Sequence, residues 1–352
     1  MEPLVSIIIP FYNTDIKLFE RCINSVIEQE YRNIECIVVD DGSSEEYASF
    51  LQECFELDKR VRIYHKTNGG LGNTRNYGVS QARGEYIFFL DSDDFISPFA
   101  IQNGVDLAQK NNADVVIGCS VHVLPDEFRD YKEKESKTFI LNNREDFIEL
   151  TAHISGYKNP RFSCDNGNFG PSAWSKLVKR QTAEQIQFVN DKYWGEECLW
   201  CLSLFSLCEK VVIADIIWYN YVINPKSMIR KYAGDRSIEF TTRAIQEYAL
   251  AKQKWPECMQ TAYYSVFYGL FNYVRTDICN PNNPRTKKER YLDFCTAISF
   301  DEFIEMVNNI RFDNEQRFIH KNIKELIMFF LKKNCKWAAF ELLNLCNKRI
   351  RF

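Results

Sequence analysis

Residues 86–94 read YIFFLDSDD: five residues of strand character run straight into three carboxylates, Asp91, Asp93 and Asp94, with only Ser92 among them. A strand buried on both faces of a parallel sheet reads as a continuous apolar run, and ligands of open α/β sheets bind beyond the carboxyl ends of the strands. Acidic groups crowded at such an edge repel one another unless a proton or a cation sits among them. Hard divalent ions such as Mg²⁺ or Mn²⁺ take carboxylate and phosphate oxygens together. The segment therefore suits a metal with a phosphorylated ligand. The competing reading is a strand end followed by an Asp-rich turn or helix cap.

The elements around it alternate. Val5–Ile9 is a buried strand stopped by Pro10, and the apolar spacing of residues 18–27 is that of a helix. Strands follow at 35–39 and 61–64, with a helical pattern at 47–57 between them and another at 71–82, closed by Gly84. Residues 99–110 are helical and 114–118 form a fifth strand. Short connections between alternating strands and helices imply right-handed crossovers and a doubly wound, mostly parallel sheet. The first turn lacks GxGxxG, so a dinucleotide site is not indicated. A carboxylate or amide does follow strands one, two and four, which suits a nucleotide laid across the strand ends.

From about 120 to 165 the periodicity degrades and charge rises, which reads as a variable excursion over the site. Pattern returns at 173–178, at 184–189 and in a helix over 196–208, followed by strands at 211–214 and 217–222. Beyond residue 231 every segment has helical spacing, so the expected division is a catalytic domain at 1–230 and a helical region at 231–352.

Composition excludes several classes. With 352 residues, 45% of them hydrophobic, the chain can bury a large core, and 26% charge argues against disorder. A formal net charge of -4 gives no nucleic-acid footprint. The 13 cysteines are scattered, and the one CxxC, Cys198 to Cys201, has no second pair, so neither a disulfide scaffold nor a zinc site is expected. Buried reduced thiols, with neither a signal segment nor a stretch of spanning length, point to the cytosol. Residues 320–352 hold eight Lys or Arg against two Glu, a local excess of +6, interleaved with Phe329, Phe330, Trp337 and Phe340. Two readings stand: an amphipathic element for an anionic membrane surface, or an apolar stripe packed on its own domain.

Five motifs now occur in order: PFYN at 10–13, VDDGS at 39–43, NGGLGNTRNYG at 68–78, LDSDD at 90–94 and GEE at 195–197. Over about residues 4–220 the chain resembles the inverting family 2 glycosyltransferases of bacterial capsule and O-antigen synthesis. The resemblance implies a GT-A fold, a Rossmann-like mixed and mostly parallel sheet, followed here by the helical region. It puts Pro10, Tyr12 and Asp41 around the nucleotide base. A ring can stack on uracil and a carboxylate can accept its N3–H. It gives Asn68 and Arg75 a part in holding the nucleotide or ordering its loop; Arg75 could donate to the diphosphate or pair with Asp91. It makes Asp93 the ligand of Mn²⁺ or Mg²⁺, with Asp91 beside it at the metal through an outer-sphere water or on the ribose, and puts Ser92 in the same donor site.

An acceptor hydroxyl needs a base as the glycosidic bond forms. Family members carry Glu-Asp where this chain has Glu196-Glu197, and the second residue is the base. The match is Glu197, one methylene longer; Glu196 as base, or a pair that only caps the helix, stay open. The segment Trp174 to Lys176 resembles the acceptor side, Trp174 offering a flat face to a pyranose or else being a core residue, and Arg230 resembles a residue covering the diphosphate. The implied reaction is inverting transfer from a UDP-sugar to a glycan hydroxyl, the acceptor being undecaprenyl-diphosphate-linked oligosaccharide at the inner face of the cell membrane. The rivals are a sugar nucleotidyltransferase and a non-catalytic membrane-associated binder of the same fold.

Overall fold

The structure, a computed structural model, describes residues 2–47, 50–52, 58–125, 127, 137–155, 159–189, 196–223, 237–312 and 321–349. It divides into two compact units, one of residues 1–147, 163–192 and 196–224, the other of 148–162, 193–195 and 225–352.

The first unit is built on one mixed sheet. Strands β1 (Val5–Phe11), β2 (Ile34–Asp40), β3 (Val61–His65) and β4 (Tyr86–Phe89) are parallel to one another, in the order β3-β2-β1-β4. β1, β2 and β4 are buried along their whole length, which is why they read as unbroken apolar runs. Pro10 is tolerated inside β1 because pairing with β4 ends at Ile8↔Phe89. The sheet continues through β8 (Lys176–Lys179), antiparallel to both β4 and β6 (Val115–Val123), then β9 (Val211–Val222), parallel to β6. The short β5 (Phe95–Ile96) and β7 (Thr138–Leu141) pair antiparallel with the two halves of β9.

Helices α1 (Ile16–Ile27), α2 (Leu71–Gln81) and α3 (Ala100–Asn111) fill the crossovers. Asp15 caps α1 by accepting the N–H groups of Lys17 and Leu18. α2 lies so close to β1 that a Cβ on Gly78 would come within 2.3 Å of Ile8 Cγ2. Only glycine permits that approach.

Three expectations change. The excursion expected at 120–165 carries regular elements whose periodicity is not readable: β6 runs on to Val123, and β7 and helix α4 (Arg144–Ile154) follow. β7 carries exposed and half-buried positions, so it lacks the apolar signature of a core strand. The two strands expected at 211–214 and 217–222 are the single strand β9, interrupted by a shift in its register with β6. Residues 184–189 form no regular element; the short helix α5 (Arg180–Ala183) precedes them, and α6 (Glu196–Phe205) carries the Glu pair in its first turn.

In the second unit, α7 (Ser237–Lys254), α8 (Met259–Tyr273), α9 (Lys287–Ala297), α10 (Asp301–Asn309), α11 (Lys321–Lys332) and α12 (Lys336–Arg349) enclose a core containing Phe240, Phe267, Leu270, Phe294 and Phe303. Ile327, Met328, Ala339, Phe340 and Leu343 from the basic carboxyl-terminal stretch join that core. Leu326, Phe329, Trp337 and Leu345, on the same two helices, are about half exposed. Among the described residues no helix is long and apolar enough to cross a membrane.

Candidate active site

The site gathers at the carboxyl ends of β1, β2 and β4, where parallel strands leave their loops. Three devices tie these loops together. Asn13 at the exit of β1 donates its N–H to Ser43 Oγ (2.9 Å), and its Oδ1 accepts from Ser44 N (3.1 Å). Ser92 and Thr14 share a hydrogen bond of 2.6 Å between their hydroxyls. Asp41 accepts from Lys66 Nζ (2.5 Å) and the N–H groups of Gly69 (2.8 Å) and Gly70 (2.9 Å), while Asn68 Nδ2 donates to the Asp41 carbonyl (2.9 Å). The loop at 66–70 is thereby folded onto the end of β2. Gly42 (φ 77°) allows that fold, since a Cβ there would lie 3.0 Å from Asn68 N. Tyr12 stands beside these loops with 52% of its surface exposed.

The three carboxylates after β4 go three ways. Asp94 is buried, and each of its oxygens has a donor, Tyr219 Oη and Val222 N at 2.7 Å each. It pins the turn to β9, and burial pushes its acid well above the ordinary range, with Asp93 and Asp91 adding to the shift. Asp91 Oδ1 accepts from Arg75 Nη2 at 2.9 Å. Asp93 has no ion-pair partner among the described residues, and burial followed by the charge of Asp91 pushes it up to about 6. An unpartnered carboxylate held above its ordinary pKa beside a second one is a donor set of hard oxygens that a divalent cation would relieve. Asp93 and Asp91 fit Mg²⁺ or Mn²⁺ on that ground.

Arg75 is the hub. It projects from α2, is fully buried, and pairs with Asp91, with Glu196 (Nη1 to Oε1, 3.2 Å) and with Glu197 (Nη2 to Oε1, 2.9 Å). The ring of Phe188 lies 5.3 Å below the guanidinium carbon. Of the two sequence readings for this arginine, pairing with Asp91 is the arrangement present. Glu197 Oε1 also accepts from Ala173 N (3.0 Å). Burial raises the Glu197 acid to about 7, with Arg75 opposing the shift and Glu196 and Asp91 adding to it. At that value it is half ionised near neutrality, where a general base works best.

Two expected acceptor contacts sit differently. Lys176 is 1% exposed, and its ammonium donates to the carbonyls of Gly170 (3.0 Å) and Ser172 (2.6 Å). It braces the loop that presents Ala173 N–H to Glu197 and does not reach into the cleft. Trp174 is half-buried and stacks on Tyr219 at 4.2 Å and 12°, so one face of the indole is already covered. Tyr219, missed in the sequence, is the residue that links Trp174, Asp94 and the N–H of Asp91, which donates to its hydroxyl oxygen at 3.1 Å. Its aromatic, strand-like surroundings gave no sign of that role. Arg230 lies outside the described residues.

Comparisons with known proteins give the family and the fold. The profile of the family described as "Glycosyl transferase family 2" matches residues 6–184. The chain is 27% identical to the Bacillus subtilis "Uncharacterized glycosyltransferase EpsJ", over 98% of this chain and 96% of that protein. It is 30% identical to the Streptococcus pneumoniae "Glycosyltransferase GlyG", over 65% of this chain and 74% of that one. Among solved structures, S. aureus TarS 1-349 in complex with UDP-GlcNAc superposes with a TM-score of 0.67 at 15% identity, covering 98% of this chain and 90% of that one. The mannosyltransferase PcManGT from Pyrobaculum calidifontis, in complex with GDP-Man and Mn²⁺, gives 0.52 at 14% identity, covering 100% of this chain and 89% of that one. The structural likeness establishes the fold expected from the sequence, GT-A.

Replacing Arg75 by Met leaves three carboxylates crowded together without their cation. Urea denaturation of Arg75→Met at about pH 8 should show a stability loss of roughly 3–5 kcal/mol. The loss should shrink at about pH 5.5, because carboxylates whose pKa values rise further in the folded variant take up protons there. Equal losses at both pH values would contradict the charge assignment.

Proposed function

The chain belongs to glycosyltransferase family 2, and within that family we propose that it transfers a sugar from a UDP-sugar to a glycan hydroxyl in one inverting displacement, with Glu197 as the base. One observation carries the reading. Arg75 Nη2 is 2.9 Å from both Asp91 Oδ1 and Glu197 Oε1, so the two carboxylates lie no more than twice that distance apart. The carboxylate on the metal and nucleotide side and the group that would take the acceptor proton thus share one guanidinium.

Tyr12, exposed at the exit of β1, offers its ring to the base. Asp41 Oδ2 accepts a single backbone N–H from Gly70 and keeps a lone pair for the N3–H of uracil. TarS, named with UDP-GlcNAc, supports a uridine donor, and the Mn²⁺ named with PcManGT supports a divalent ion. When bound by Asp93 and Asp91, that ion supplies positive charge to the departing diphosphate. Glu197 removes the acceptor proton, and Arg75 with Ala173 N–H fixes the direction of its carboxylate. As the family resemblance implies, displacement would be single and the anomeric centre would invert.

The lipid-linked acceptor and the membrane contact belong to the same reading. Leu326, Phe329, Trp337 and Leu345 stand about half exposed on two helices that also carry Lys332 and Lys336, with Lys333 in the turn between them. This is an apolar and basic surface suited to anionic headgroups.

Release of UDP from a panel of UDP- and GDP-sugars with Mn²⁺ tests the reaction. A UDP-sugar should be turned over with kcat/KM falling as pH drops through about 7, as Glu197 protonates. Glu197→Gln should lower the rate about 10²–10⁴-fold and abolish that pH limb. Asp93→Ala should lower it about 100-fold or more. A GDP-sugar preference, or an unchanged rate in Asp93→Ala, would overturn the donor or the metal assignment. Cosedimentation with anionic vesicles should weaken on replacing Phe329 and Trp337 by Ser, and unchanged binding would remove the membrane contact.

A further inference from the structure

Away from this cleft, three side chains distant in sequence meet in the first unit. Cys119 lies in β6, Asp215 in β9 and Cys164 in the segment leading to β8, and their sulfur and carboxylate atoms lie within 4.8 Å of one another. Both cysteines are free thiols.

The local cause is a special bulge, with more than one extra residue in β9 and a second register shift between Cys119 and Ser120. β6 and β9 pair in step from Val115↔Val211 to Ile117↔Ile213 and resume at Cys119↔Ile217, so Ala214, Asp215 and Ile216 oppose Gly118 alone. Position 118 has to be glycine, because a Cβ there would fall 2.2 Å from Trp218. The bulge turns Asp215 toward Cys119, whose thiol donates to Oδ1 across 3.8 Å. The same carboxylate accepts the N–H groups of Asp165 (2.7 Å, at Oδ2) and Asn166 (3.0 Å, at Oδ1), and the Asp215 carbonyl accepts from Asn166 Nδ2 (2.8 Å). A two-bond bridge between Ser120 and Asn168 fastens the segment further along. These contacts deliver Cys164 to Cys119.

We propose that Cys119, Cys164 and Asp215 form a binding site for Zn²⁺, or another borderline-soft divalent cation, with water in the fourth position. Tetrahedral zinc with sulfur at about 2.3 Å and oxygen at about 2.0 Å spaces neighbouring sulfur and oxygen ligands by about 3.5 Å, within a few tenths of the contact present. A thiol is a weak donor, so its bond to Asp215 does little to offset the burial of that carboxylate, which is 1% exposed. The backbone N–H groups on Asp215 do what outer-shell partners of a ligating carboxylate do: they fix its orientation. Two sulfurs exclude Mg²⁺ and Ca²⁺ as the preferred ion. Binding exchanges both thiol protons for the cation, and the complex of Zn²⁺ with two thiolates and one carboxylate keeps a single negative charge. Lys137, ion-paired with Asp165 at 2.6 Å, stands beside it. Because both thiols must lose their protons to bind the ion, affinity should rise with pH.

The ion would act as a staple. The segment it fixes runs on to Gly170–Ala173, where the carbonyls that hold Lys176 and the N–H that meets Glu197 are found.

Metal analysis of the full chain, purified under reducing conditions without chelator, tests this. The expected result is stoichiometric zinc, and on exchange for Co²⁺ a thiolate-to-cobalt charge-transfer band. Cys164→Ser, at a partly exposed position, should lose the band and weaken zinc binding by more than about 100-fold, beyond the range for losing an outer-shell partner. Cys119 lies inside the sheet and its replacement risks misfolding. For that position zinc should instead protect the unaltered protein against alkylation of both thiols. Absence of zinc and of the cobalt band, zinc retained by Cys164→Ser, or a Cys119–Cys164 disulfide in place of the metal would each overturn the site.

Discussion

A buried guanidinium facing three carboxylates is the constraint on which the rest of this site depends. Arg75 has no solvent to carry its charge, so Asp91, Glu196 and Glu197 must stay close to it. They in turn are one cation short of neutrality twice over. Burial first, and then the neighbouring negative charge, holds Glu197 near 7; burial and Asp91 leave Asp93 near 6. Breaking such a group is far costlier than its net contribution to stability, because each partner left behind is desolvated and unpaired. The arrangement is therefore better understood as a device for positioning charge than as a source of stability.

The scaffold explains why the hub stands where it does. β1, β2 and β4 end together, α2 packs on β1 through Gly78, and the loop at 66–70 is folded back by Asp41. These contacts fix the start of α2, and so fix Arg75 one turn further on. α6 brings the Glu pair from the opposite side in its first turn, where a helix favours negative charge. Lys176, buried against two carbonyls, keeps the third wall of the site in place.

Much of this was legible in the chain itself. Core strands of a parallel sheet are continuous apolar runs, so β1, β2 and β4 could be read directly, and the carboxylates at their exits marked the site. What could not be read was the division of labour among near neighbours. Nothing in LDSDD distinguishes Asp94, which accepts from Tyr219 and Val222, from Asp93, which has no ion-pair partner among the described residues. A lysine next to an acceptor-type tryptophan gave no hint that its ammonium would turn inward. β7 escaped notice because it is half exposed, and β9 read as two strands because its bulge interrupts the pattern. That same bulge joins Cys119 to Asp215 across a separation in sequence that no spacing rule covers.

The central claim, that Arg75 holds down the rise that burial imposes on Glu197, is tested most directly by carboxyl-carbon NMR titration of glutamate-labelled protein, with the Glu197 signal assigned through Glu197→Gln. The account predicts a midpoint near 7 in the unaltered chain and a clear rise when Arg75 is replaced by Met, since the one lowering charge has been removed. A midpoint in the ordinary carboxylate range, or one that Arg75→Met leaves in place, would contradict it.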